Sequence, residues 1–146
     1  MIHIIYRGGN MNREELEGYI YTETLLAQLY RKAAAMATRD VERNTLLQFS
    51  QEATQNANYL NYFYRQEFGS NFDPIIPEGN ITGTYRDILN EILNQEIRSF
   101  LVFRNQTYFQ NNFDFKETMR YISDIKLGHI LTILAILTDM NKPVQQ

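Results

Sequence analysis

The residues of this chain with most capacity for chemistry are polar ones standing where a helix should be apolar. Written at spacings of three and four, one segment reads Leu16, Tyr19/Ile20, Glu23, Leu26/Ala27, Tyr30, Ala34, and a second reads Leu46, Phe49, Ala53, Asn56, Leu60, Phe63. A third reads Ile88/Leu89, Ile92/Leu93, Glu96, Phe100, Phe103, and a fourth reads Phe115, Met119, Ile122, Lys126, His129, Ile133, Ile136. Residues so spaced share one face of a helix, so Glu23, Asn56, Glu96, Lys126 and His129 interrupt core-facing stripes. Each falls near the middle of its segment, where facing helices of a bundle meet, and they are expected to converge. A lone carboxylate in hydrocarbon costs several kcal/mol unless paired, so Glu23 and Glu96 must share a cation. That cation is a metal ion or the ammonium of Lys126.

Four helices are needed to bring these positions together, and their boundaries are legible. Proline occurs only at Pro74, Pro77 and Pro143, and the segments between are rich in helix formers with helical apolar spacing. The first helix is predicted over about residues 12–37, opened by the box Asn12 to Glu15, and the second over about 41–68, stopped by Gly69. The third is predicted over about 84–105 behind the box Thr84 to Asp87, and the fourth over about 114–140 behind the box Asp114 to Glu117. Between the second and third helices lies GSNFDPIIPEGNITG, read as an extended link without structure of its own. Its residues at roughly 3.3 Å each reach about 50 Å, against about 37 Å for a helix of some 25 residues. The link therefore travels the bundle's length, and the third helix runs parallel to the second. The expected fold is all-α, one domain over residues 1–146, a four-helix bundle with a long crossover.

Composition narrows the function. With 146 residues and 44% hydrophobic content the chain can bury a core as one domain. It has no cysteine, which removes disulfides, thiolate metal sites, iron–sulfur clusters and thiol nucleophiles. Its net charge is −3, with the 14 Lys and Arg scattered along the chain and only Arg31 and Lys32 adjacent, so no basic stripe suits nucleic acid or an anionic membrane. The apolar run Ile130 to Leu137 is well short of a membrane span, and the N-terminus lacks the pattern of a signal peptide. The expectation is a cytoplasmic protein. No Ser or Thr stands beside a His and an acid on a patterned face, His3 lies off every stripe, and Gly8 with Gly9 forms a hinge without phosphate-loop spacing.

The stripes resemble the ferritin-like superfamily, in particular its rubrerythrin-type branch. In that family the first and third helices carry a Glu followed seven residues later by an aromatic, as in Glu23 with Tyr30 and Glu96 with Phe103 here. The second and fourth carry Glu-x-x-His, of which His129 remains. The resemblance covers roughly residues 13–139 and implies a ferritin-like bundle built for a di-metal centre. The departures are as informative: Ala53 and Asn56 stand where the second helix should offer Glu and His, and Lys126 replaces the Glu of the fourth. Glu52, next to Ala53, falls about 100° off the core stripe and reads as surface.

Two readings follow for the centre. In the first the site is metal-free: Lys126 bridges Glu23 and Glu96 where metal charge would be, Asn56 and Tyr30 add hydrogen bonds, no cofactor is required, and the protein is structural or interactive rather than an enzyme. In the second a single iron, manganese or zinc ion survives on Glu23, Glu96 and His129, making a non-haem metal oxidoreductase or metal-handling protein. A third possibility, from ten tyrosines and nine phenylalanines, is association, with Tyr59, Tyr62, Tyr64, Tyr108 and Phe109 as surface candidates. A homodimer is compatible with the pattern, since related bundles often pair, but the sequence does not select an oligomeric state.

Overall fold

The fold follows from where each helix can start and stop. The computed structural model describes residues 12–109 and 111–143, so His3 and the Gly8, Gly9 pair lie outside the described residues. Four helices form: α1 (Arg13–Met36), α2 (Asp40–Phe68), α3 (Tyr85–Phe109) and α4 (Phe113–Met140). Asn12 Oδ1 accepts from the Glu15 amide at 3.1 Å, opening α1 as its sequence box requires. The Thr84 box is reciprocal, Thr84 Oγ1 accepting from the Asp87 amide at 3.1 Å and Asp87 Oδ2 from the Thr84 amide at 3.0 Å. Gly69 ends α2 in the left-handed region at φ 89°.

Two boundaries differ from the sequence expectation. α3 continues to Phe109 rather than stopping near Asn105. α4 is capped by Asn112, whose Oδ1 accepts from the Phe115 amide at 3.0 Å, and not by a box running from Asp114 to Glu117. Asn is as good an N-cap as Asp, and the earlier start leaves Asp114 in the first turn, where its charge favours the helix dipole.

The direction of the helices is read from their two apolar clusters. One joins the C-terminal half of α1 (Leu25 to Ala34), the start of α2 (Leu46, Phe49), the start of α3 (Ile88, Leu89, Ile92) and the end of α4 (Ile133, Ile136, Leu137). The other joins Leu16 and Ile20, Leu60 to Tyr64, Phe103, and Phe115 to Ile122, which are the opposite ends of the same helices. α2 and α3 therefore start at the same end and run parallel, as the crossover length implied. The chain is an all-α four-helix bundle, and the levels of Glu23, Asn56, Glu96, Lys126 and His129 fall between its two apolar clusters.

The crossover is more structured than an extended link. It contains a 3₁₀ turn at Glu78–Asn80, and Ile76 is buried in the first cluster. The Asn61 side chain clamps it, donating to the Phe72 carbonyl at 3.0 Å and accepting from the Phe72 amide at 2.8 Å, while Asn80 Nδ2 donates to Tyr21 Oη at 3.1 Å. The two Asn61 bonds satisfy Phe72 backbone groups that no helix or sheet serves.

α4 differs from its neighbours. By length and composition it could cross a bilayer, a property not apparent from the short run Ile130 to Leu137. One face of it is buried in the bundle, Lys126 and His129 included. Its apolar character comes from having apolar residues on the outer face as well, among them Leu127, Leu131 and Leu134.

Gly83 also has positive φ, 124°, and a Cβ there would stand 2.8 Å from Asp87 Cβ, against the side chain that caps α3. At Gly69 a Cβ meets nothing within 4 Å. Gly69→Ala is therefore expected to cost about 1 kcal/mol from φ alone, and Gly83→Ala more, by urea denaturation. Equal costs would show that the backbone of the turn shifts to relieve the contact, since rotating the Asp87 side chain leaves its Cβ in place.

Candidate functional site

Each helix contributes one or more side chains to the polar layer: α1 Glu23 and Tyr30, α2 Asn56, α3 Glu96, and α4 Lys126 and His129 one turn apart. None of Glu23, Asn56, Glu96, Lys126 and His129 is more than 2% exposed. Lys126 Nζ lies 2.5 Å from Glu23 Oε2 and 2.8 Å from Glu96 Oε1, so one ammonium pairs with both carboxylates. Each carboxylate's other oxygen is also bonded. Asn56 Nδ2 donates to Glu23 Oε1 at 3.0 Å, Tyr30 Oη donates to Glu96 Oε2 at 2.7 Å, and His129 Nδ1 lies 2.6 Å from that same oxygen.

Aromatic rings enclose the charges. The Phe49 ring stacks on His129 at 4.0 Å, Tyr30 meets the same imidazole edge-on, and Phe103 lies 5.2 Å from Lys126 Nζ. Ala53 is buried and brings only a methyl group.

Glu52 corrects the sequence reading. It is half-buried rather than a surface residue, and its Oε1 lies 3.1 Å from His129 Nε2. A glutamate's rotatable side chain reaches round the flank of its helix, which a ruler of 100° per residue does not capture. The overlooked signal was His129, whose two ring nitrogens need two partners when buried. Both nitrogens face carboxylate oxygens, Nδ1 that of Glu96 and Nε2 that of Glu52. Glu52, with its side chain 30% exposed, is the point where this buried network meets solvent.

The electrostatics separate the two central carboxylates. Burial acts to raise Glu96, but Lys126 and the His129 hydrogen bond outweigh it and bring the carboxyl down to about 2. Burial raises Glu23 above its ordinary value, with Lys126 opposing and the Glu96 charge reinforcing the rise. Burial also acts against the charge on Lys126, but the two glutamates override it and hold its pKa up. Burial and then Glu96 push the Tyr30 phenol well up, so it remains a donor. Glu96 is thus the firm anion and Glu23 the one that takes a proton first.

Asn56 Oδ1 is buried without a hydrogen-bond partner, which costs on the order of 1–3 kcal/mol.

As a cradle for two metal ions the side chains do not fit. Ala53 has no donor atom, the Asn56 amide is spent on Glu23, and Lys126 Nζ lies against the oxygens that would face an ion. Among the described residues no group of three or more His, Asp or Glu is arranged to hold a metal ion. What the arrangement can do is hold two buried carboxylates on one ammonium, with His129 linking Glu96 to the half-buried Glu52.

The aromatic surface candidates divide. Tyr64 is buried, donating to Glu17 Oε2 at 2.6 Å, Tyr59 packs on Tyr121 at 5.9 Å, and Tyr62 is exposed. The side chains of Tyr108 and Phe109 lie outside the described residues.

No family model matches the chain, and no curated protein matches it. Among solved structures it is similar to a hypothetical protein from Pyrococcus furiosus, with a TM-score of 0.71 and 18% identity over 86% of this chain and 87% of that one. That likeness concerns the fold.

Lys126→Met leaves two buried carboxylates without their cation and is expected to cost about 3–5 kcal/mol at neutral pH. The loss should shrink as pH falls and a carboxyl protonates; a melting temperature unchanged at pH 7 would show that the pairing contributes nothing.

Because the folded pKa of Glu96 lies below 4.5, its contribution to stability is present above pH 4.5 and lost as pH falls toward about 2. The raised Glu23 works the opposite way, favouring the fold below 4.5 and losing that contribution as pH rises. Denaturant titrations between pH 5 and 2 should therefore show a steeper acid loss for the wild type than for Glu96→Gln.

Proposed function

We propose that this chain is a ferritin-like bundle in which Lys126 stands in for the metal charge of a di-metal centre. Its role is then structural or interactive rather than enzymatic. The observation that carries the reading is the contact of Lys126 Nζ with Glu23 and Glu96 together. An ammonium within a few Å repels a divalent ion and competes for the same oxygens. The reading also accounts for Ala53 and Asn56: with one ammonium in place of metal ions, a Glu-x-x-His pair on α2 would add a buried carboxylate with nothing to balance it.

The test is elemental analysis of untagged protein purified without chelator, with anomalous diffraction at metal edges. The expected outcome is no stoichiometric metal. About one ion per chain on Glu23, Glu96 and His129 would overturn the proposal in favour of a mononuclear iron, manganese or zinc protein with oxidoreductase or metal-handling chemistry. As a converse, the triple variant Ala53→Glu, Asn56→His, Lys126→Glu restores the Glu-x-x-His spacing on α2 and α4 and is expected to take up iron. Failure of the folded variant to do so would argue against a ferritin-like geometry.

A further inference from the structure

The exposed apolar side chains are unevenly distributed. Among the described residues α1 exposes no large hydrophobic side chain, whereas the α3–α4 side exposes Ile97, Leu101, Leu127, Leu131 and Leu134. Arg104 and Asp124 pair across these antiparallel helices at 2.6 Å and set their relative level. Counting back along α3 and forward along α4 places Leu101 beside Leu127 and Ile97 beside Leu131. The five side chains form one patch rather than scattered exposures.

We infer that this α3–α4 face is where a second copy of the chain packs, about a two-fold axis that sets α4 antiparallel against its counterpart. The support is self-complementarity. The outer face of α4 alternates large and small residues, Leu127 and Gly128, then Leu131, then Leu134 and Ala135, all exposed. A two-fold at the level of Leu131 lays Leu134 of each copy over Gly128 of the other, and Leu127 over Ala135. At Gly128 the space is open, since an added Cβ would meet nothing within 4 Å. A surface whose knobs meet its own holes under one rotation suits an isologous contact.

Area and length favour a second copy over a bilayer. The exposed parts of the five side chains amount to roughly 450 Å², over half of the ~800 Å² per partner that a stable interface buries, before their neighbours are added. Along α4 the stripe from Leu127 to Leu134 is only about 11 Å long, against about 30 Å of bilayer hydrocarbon. Asp124 and Asp139 flank it at either end. The inference does not depend on how the Lys126 site is read.

Sedimentation equilibrium of the full chain at about 100 μM should give about twice 17.3 kDa. Leu131→Glu should return it to the mass of one chain with unchanged helical circular dichroism. Gly128→Leu, whose Cβ meets nothing within 4 Å in the bundle, fills the hole and should raise the dissociation constant tenfold or more. Because the chain has no cysteine, Leu131→Cys should cross-link to its own copy on oxidation, whereas Arg31→Cys beside the crossover should not. A wild type at single-chain mass would overturn the inference, as would a Leu131→Glu variant that stays dimeric. Co-flotation of wild-type protein with phosphatidylcholine vesicles, lost in Leu131→Glu, would overturn it in favour of a bilayer.

Discussion

Two buried carboxylates cannot share an apolar core unless one positive charge lies between them, and the middle of this bundle is arranged around that requirement. Glu23 on α1 and Glu96 on α3 are both held by Lys126 of α4. The contact fixes the helices in register as well as in distance, because an ammonium shifted by one helical turn would leave both anions unpaired. Asn56, Tyr30 and His129 occupy the remaining lone pairs, so the charge layer is nearly closed. The unpaired Asn56 Oδ1 marks where it is not.

The apolar clusters above and below this layer supply most of the favourable free energy of folding, but hydrocarbon packing is tolerant of small slips. The charge layer is not tolerant. It makes one alignment of α1, α3 and α4 cheaper than its neighbours, which is a specificity role that buried polar groups can serve. The crossover supports the same alignment from outside: Asn61 and Tyr21 hold it along the bundle, and Gly83 with the Thr84 box turns it into α3.

Inside and outside of α4 serve different ends. Its inner stripe carries Lys126 and His129, and its outer stripe carries leucines that stay largely exposed. A helix apolar on two faces has use for two partners. The bundle supplies one, and the alternation of large and small residues on the other face is suited to a second copy.

Much of this was legible in the sequence. Periodicity determined the helices and the stripe, burial in the stripe identified Glu23, Asn56, Glu96, Lys126 and His129, and the cost of unpaired charge required a shared cation. The crossover length implied that α2 and α3 run parallel. These conclusions rest on local spacing and on free energies that hold wherever a helix is buried. Tertiary structure alone decided that Lys126 spans both carboxylates at once, that Glu52 reaches His129, and that Asn112 rather than Asp114 opens α4. Those outcomes depend on side-chain rotamers and on distances between helices far apart in sequence, which no periodicity along one helix contains.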